Sequence, residues 1–220
     1  MTKLYFVRHG KTEWNNQGRY QGANGDSPLL PESYAQIKAL AGYLQGIPFM
    51  HAYVSPLKRA RTTAQALIKD LDESIPLTIM PALREFNLGK MEGMTFTDVG
   101  KHFPQELHAF RHEPAAYDPR KIHGESFSQL INRAIPAIVA TLAMDHTGEA
   151  NLLYVSHGAA LAAVIQSLLG TPLADIRKDG GLTNSSVTIL HADGPTLPFT
   201  LLDWNETSFL PEPPKATDTI

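Results

Sequence analysis

The chain has 220 residues, 43% hydrophobic and 19% charged, and 0 cysteines. This length suits one globular domain with a small insertion, and the lack of thiols excludes disulfides, thiolate metal sites and a cysteine nucleophile. A formal charge of −3 gives no global basic field for nucleic acid or an anionic membrane, whereas 9 histidines suggest chemistry through imidazole.

In chain order, Leu4 to Val7 reads as a buried strand, far too short for a signal-peptide core or a membrane span. With the absence of cysteine, this makes the cytoplasm the expected location. Ile37, Leu40, Ala41 and Leu44 recur at helical spacing, with Gly46 placed as a C-cap. Short strands are expected at Ala52 to Val54 and Leu77 to Ile79, separated by a helix carrying Ala60, Ala64, Leu67, Ile68 and Leu71.

Residues 90–124 break this rhythm with glycines, prolines and two short helical patterns, and read as an insertion over the strand ends. The longest helical stripe runs from Phe127 to Leu142, where Pro136 predicts a kink or a late start. A second buried strand is expected at Leu152 to Val155, before a small-residue helix from Ala159 to Leu169. Val187 to Leu190 and Phe199 to Leu202 suggest a terminal antiparallel hairpin. The alternation predicts an α/β sandwich with a mostly parallel sheet. Residues 1–210 are expected to form its single domain, and 211–220 a disordered tail.

Three segments carry candidate chemistry. The first strand ends in Arg8, His9 and Gly10, followed by the polar residues Thr12, Asn15 and Gln21, then Gly22. Ligands bind at the carboxyl ends of strands in open α/β sheets, and a guanidinium is a natural partner for phosphate or carboxylate. The second segment opens a helix with Lys58, Arg59 and Arg61. Cations there oppose the macrodipole, so an anion is expected to satisfy them. Lys58 and Arg61 are read as solvated, Arg59 as functional. The third ends a strand in Ser156, His157 and Gly158, repeating the first pattern. If the two strands are neighbours, both imidazoles face one pocket. Glu85, in such surroundings, can serve as a general acid.

The motifs run in order as Arg8-His9-Gly10-Lys11-Thr12-Glu13-Trp14-Asn15, Gly18 to Gly22, Asp26-Ser27-Pro28-Leu29, Ser55 to Ala64, Leu83-Arg84-Glu85, Glu92-Gly93, Gly124-Glu125-Ser126 and Val155-Ser156-His157-Gly158. Together they resemble the phosphoglycerate mutase-like branch of the histidine phosphatase superfamily. The resemblance implies a three-layer sandwich and a metal-independent phosphomonoester hydrolase with no cofactor. It implies His9 as nucleophile, and Arg8, Arg59 and His157 as ligands of the phosphoryl oxygens. Glu85 would be proton donor and then base. Thr12, Asn15, Gln21, Gly22 and Gly158 would add substrate contacts.

There are departures from the family pattern. Lys11 stands where glutamate is commoner, which would alter charge at the pocket rim. Leu30-Pro31-Glu32-Ser33 replaces a Thr-x-x-Gly entry, so an altered loop is expected there. Ala159, Ala160 and Ala162 leave no arginine after His157 for a substrate clamp.

Three other readings stand beside the phosphatase. A mutase of the same family would return the phosphoryl group to a phosphoglycerate, but Phe86 to Gly93 is the shorter, phosphatase-like form. A binding module would hold a phospho-ligand without turnover. A metallohydrolase would use His102, His108 and His112, which lack a clear acidic ligand. The expected partner is a small phosphorylated substrate, with no nucleic acid and no membrane; oligomeric state is open, a homodimer included.

Overall fold

The computed structural model describes residues 1–143, 145–146, 148–215 and 218–219. Six strands form one sheet in the order β3-β2-β4-β1-β5-β6, where β1 is Thr2–Arg8, β2 Phe49–Val54, β3 Leu77–Ile79, β4 Asn151–Ser156, β5 Val187–Ala192 and β6 Thr200–Glu206. The first four in that order run parallel, and β5 and β6 add an antiparallel hairpin edge. The expected strands and the terminal hairpin are all present.

The central strands are apolar on both faces because helices cover both faces. Along β1, Leu4 and Phe6 point into one core, and Tyr5 and Val7 into the other; along β4, Leu152 and Tyr154 oppose Leu153 and Val155 in the same way. Helices α2 (Pro31–Leu44) and α3 (Lys58–Leu71) cover one face, and α6 (Phe127–Leu142) and α7 (Gly158–Leu168) the other. Helix α6 begins at a Ser126–Gln129 capping box and continues through Pro136, so the proline does not delay its start.

Three expectations change on contact with the structure. The departure at Leu30 to Ser33 is no altered loop: Pro31 takes the first helical position of α2, where its missing N–H costs nothing, and Ser33 Oγ donates to the Lys11 carbonyl at 2.7 Å. Residues 90–124 do not simply overlie the strand ends. They form α4 (Phe96–His102) and α5 (Pro104–His112), and send Val99, Phe110, Tyr117 and Ile122 into the core against Phe86 and Phe127. Of the expected tail, residues 216, 217 and 220 lie outside the described residues, and two of the described ones are anchored. Asp218 is buried, and Thr219 bridges Thr183. No helix among the described residues is long and apolar enough to cross a membrane.

Candidate active site

Strand order assembles the site. The chain passes from β1 to β2 and returns later to lay β4 between them, so the carboxyl ends of β1 and β4 are adjacent, with Arg8 paired to Ser156. Such a switch in strand order opens a crevice. His9 and His157 follow these two ends with their ring centroids 5.2 Å apart. Arg59 follows β2 and Glu85 follows β3, so the four parallel strands deliver four candidate side chains to one edge. All four are buried, as is Arg8.

The hydrogen bonds fix what each imidazole offers. His9 Nδ1 lies 2.7 Å from the Gly10 carbonyl, so Nδ1 carries the hydrogen, and Nε2 accepts from Arg59 Nε at 3.2 Å. His157 Nε2 lies 2.6 Å from Ser55 Oγ, which itself accepts from the Leu57 N–H at 3.4 Å. His157 Nδ1 is buried without a partner; when the Ser55 hydroxyl donates to Nε2, the hydrogen of the neutral ring sits on Nδ1. Burial, with the charges of Arg59 and Arg8 nearby, holds both histidines well below the usual imidazole range. At neutral pH both rings are uncharged, and His9 Nε2 presents a lone pair.

The cations are held by carbonyls. Arg59 donates from Nη1 to Gly25 O at 2.7 Å, and from Nη2 to Gly22 O at 3.1 Å and Gln21 O at 3.4 Å. Arg8 Nη1 donates to the carbonyls of Leu182 and Asp218. Its Nε and Nη2 are buried with no partner. Burial lowers Arg8 to about 10, so it stays charged at neutral pH. A Cβ at residue 158 would come within 3.0 Å of Arg8 Nε, which explains the glycine: the guanidinium lies against its backbone.

Glu85 sits at the N-terminus of α7. Its carboxylate accepts from Ala160 N at 2.8 Å, Ala159 N at 3.2 Å and Phe86 N at 2.8 Å. Burial nevertheless raises its pKa above the usual carboxylate range, against the pull of those N–H groups and Arg59. Arg133 clamps this loop by donating to the carbonyls of Ala82 (2.6 Å) and Glu85 (3.2 Å), while Glu125 holds its Nε at 2.7 Å. A cavity of about 410 Å³ opens beside Glu85, walled by Asn24, Arg84, Asn87, Gln129 and Arg133.

The other candidate residues build the frame. Thr12 caps α1 (Glu13–Asn16) in a reciprocal box with Asn15, and its hydroxyl reaches Asn15 Oδ1 at 2.9 Å. The Gln21 amide nitrogen donates to Thr12 Oγ1 at 2.9 Å, and its oxygen accepts from Arg59 Nη1 at 3.2 Å. Asn184 Nδ2 donates to the His9 carbonyl at 3.0 Å. Thr12 and Gln21 therefore orient neighbours through their side chains, and Gly22 acts through its carbonyl on Arg59.

Several participants were not singled out from sequence. Asp26 accepts from the backbone N–H of Lys58 (2.5 Å) and of Arg59 (3.2 Å), so the anion expected at the start of α3 is the protein's own carboxylate. Lys58 and Arg61 are exposed, as read. Ser55, like Asp26, stands in a quoted motif without an assigned role, and Asn184 and Arg133 gave no local signal. Lys11 adds no charge at the rim: it is buried and pairs with Asp218 at 2.6 Å. His108 and His112 share a face of α5 with centroids 5.1 Å apart, and no cluster of metal-ligating residues occurs among the described residues.

Comparison with known proteins identifies the family and the fold. The profile of the histidine phosphatase superfamily (branch 1) matches residues 4–207. A probable phosphoglycerate mutase GpmB of Escherichia fergusonii is 33% identical over 175 residues, covering 78% of this chain and 77% of that protein. The 6-phosphofructo-2-kinase/fructose-2,6-bisphosphatase of Caenorhabditis elegans is 31% identical over 175 residues, covering 79% of this chain; the chain spans only 35% of that longer protein. Among solved structures, YhfR of Bacillus stearothermophilus superposes with a TM-score of 0.85 at 31% identity, covering 95% of this chain and 99% of that one. A mycobacterial glucosyl-3-phosphoglycerate phosphatase gives 0.81 at 27% identity, covering 92% and 98%.

Proposed function

The chain belongs to the histidine phosphatase superfamily, branch 1, and within it we propose that this protein hydrolyses a small phosphomonoester through a phosphohistidine on His9. One observation carries the reading: His9 is held as the Nδ1–H tautomer by the Gly10 carbonyl, so its Nε2 lone pair points to a place ringed by Arg59, Arg8 and His157.

The steps follow from those positions. His9 Nε2 attacks phosphorus, and the bond to the substrate oxygen breaks. Arg8 Nε and Nη2, Arg59 and the His157 Nδ1–H bind the equatorial oxygens, where transition-state charge develops. Glu85, whose pKa burial raises, gives its proton to the leaving alcohol. As a carboxylate it then takes a proton from water, which attacks the phosphohistidine and releases phosphate. Glu85 ends protonated and His9 neutral, so the cycle closes. No step requires a metal ion or cofactor. A mutase would use the same chemistry, with a phosphoglycerate in place of water.

The test is turnover of a panel of phosphomonoesters, wild type beside His9→Ala, with detection of acid-labile phosphate on the protein. The proposal expects labelled wild type and an inert variant. Undiminished turnover by His9→Ala removes it, and isomerisation of phosphoglycerate faster than hydrolysis turns it to a mutase.

A further inference from the structure

The loop that carries Glu85 lies in no helix or strand, yet the carbonyls of residues 82–87 all accept hydrogen bonds from elsewhere in the chain. Ser156 Oγ donates to Leu83 O at 2.6 Å, the Ala23 N–H to Phe86 O at 2.8 Å and the Glu125 N–H to Asn87 O at 2.7 Å. The other three carbonyls share one side chain. Arg133 donates from Nη1 to Ala82 O at 2.6 Å, and from Nη2 to Arg84 O at 2.9 Å and Glu85 O at 3.2 Å. Buried backbone groups outside regular structure must find partners, and the guanidinium is the side chain whose donors can serve several carbonyls at once.

Helix α6 is built to present this group. Ser126 caps it, which places Glu125 just before the helix and Arg133 at its seventh residue. Glu125 Oε1 accepts from Arg133 Nε at 2.7 Å, and Oε2 from Nη2 at 2.9 Å. The two side chains are 15% and 27% exposed, so the pair is largely shielded from water. Such a two-point fork fixes the plane of the guanidinium. Glu125 Oε2 also accepts from the Asn87 N–H at 3.3 Å, so the counter-ion grips the same loop. Every nitrogen of Arg133 donates to the protein.

Glu85 is therefore held at both ends, its main chain by α6 and its carboxyl by α7. The carboxyl oxygens are not equivalent. Oε1 accepts two N–H groups at 2.8 Å, from Phe86 and Ala160, whereas Oε2 accepts one at 3.2 Å, from Ala159. An oxygen that already takes two short bonds is the poorer place for a proton, which puts the acid hydrogen on Oε2. We propose that Arg133, locked by Glu125, is a positioning residue for general-acid catalysis: it sets the loop so that Glu85 Oε2 meets the oxygen of the leaving alcohol. The inference rests on the role of Glu85 in the phosphohistidine reading. A displacement of about 1 Å in such a group can cost about 100-fold in rate.

The test uses leaving groups that differ in their need for a proton. p-Nitrophenolate leaves as a stable anion, and an alkoxide does not. The ratio of kcat/KM for glycerol 3-phosphate to that for p-nitrophenyl phosphate covers the steps up to release of the alcohol, so hydrolysis of the phosphoenzyme does not enter. It is measured for wild type, Glu85→Gln, Arg133→Gln, Arg133→Lys and Glu125→Gln. The ratio should fall about tenfold or more in Arg133→Gln, and about threefold or more in Glu125→Gln, which loses the charge and one fork oxygen. Arg133→Lys keeps the charge without the fork and should recover only part of the loss. In a Glu85→Gln background, Arg133→Gln should lower kcat/KM for glycerol 3-phosphate by less than about twofold more, because both changes remove one proton transfer. A ratio within about twofold of wild type in the folded Arg133 and Glu125 variants overturns the proposal, since a merely structural role lowers both substrates alike. Full recovery by lysine assigns the effect to charge and overturns it too. If Arg133→Gln does not fold, Glu125→Gln decides. A ratio that falls in Glu85→Gln but in neither partner variant removes the positioning role alone. A ratio unmoved in Glu85→Gln removes the general acid itself, and the proposal with it.

Discussion

Arg59 Nε lies 3.2 Å from His9 Nε2 and donates to it. The contact requires an unprotonated Nε2 and places a fixed positive charge beside the proposed nucleophile. It lowers the basicity of His9 and offers the incoming phosphoryl group a cation already in place. Arg59→Gln removes both effects. Its kcat/KM should fall about 100-fold or more, and the acidic limb of its pH profile should move upward toward the ordinary imidazole value. An unmoved acidic limb would separate Arg59 from the titration of His9.

The full pH profile has a predicted shape. His9 titrates below the usual imidazole value, so its neutral form persists on the acid side of about 6.5. Glu85 titrates above the usual carboxylate value, so its proton persists on the basic side of about 4.5. Activity should therefore extend into mildly acidic solution and decline as Glu85 loses its proton. Glu85→Gln should lose that basic limb along with most of the hydrolysis. A basic limb that survives the substitution belongs to another group.

Stability should also respond to acid. His9 and His157 have depressed values in the folded state, so the unfolded chain binds protons that the native one refuses. Their contribution is complete above about pH 6.5 and is lost as pH falls below it, at up to about 1.4 kcal/mol per pH unit for each group. Glu85, raised on folding, works in the opposite sense. The clean measurement is a difference: chemical denaturation of His157→Gln and wild type between pH 7 and 5. The variant should lose less stability than wild type over that interval. Parallel curves would mean that burial of a neutral His157 does not contribute to acid sensitivity.

Gly158 makes room for Arg8. A Cβ there would stand 3.0 Å from Arg8 Nε and 3.1 Å from Cζ. Gly158→Ala should improve intrinsic helix propensity by about 1 kcal/mol, yet displace the guanidinium. Activity is expected to fall about tenfold or more while the protein stays folded by circular dichroism. Turnover within twofold of wild type would show that the position of Arg8 is not critical.

Lys11 and Asp218 form a buried pair at 2.6 Å, and the carbonyl of the same Asp218 accepts from Arg8. Lys11→Glu, which installs the residue commoner in the family, puts two carboxylates together and should cost about 3 kcal/mol. The double variant Lys11→Glu with Asp218→Lys should recover part of that loss. A double variant no better than the sum of its single changes would mean that the pair is not coupled.

Much of the fold is legible in the residues. Leu4 to Val7 and Leu152 to Val155 are continuous apolar runs because both faces of a central strand are covered, and β-branched and aromatic residues mark them. The pair of His-Gly endings follows from those runs, since a strand delivers its next residue to the sheet edge. The amphipathic stripes of α2, α3 and α6 are legible for the same reason. The insertion is harder to read. Phe110 and Tyr117 are core residues, but the short helical pieces that carry them give no sustained periodicity.

Repeated burial writes a period into the chain, so the strands, the longer helices and the two histidines can be read from it. The folded chain decides that β4 lies beside β1, and hence that the histidines meet. It also decides that Asp26 is the anion at α3, that Ser55 meets His157 Nε2, and that the Asp218 carbonyl holds Arg8. These are single polar contacts between residues far apart in the chain. Each depends on one donor meeting one acceptor, a geometry that leaves no periodic trace in either local sequence.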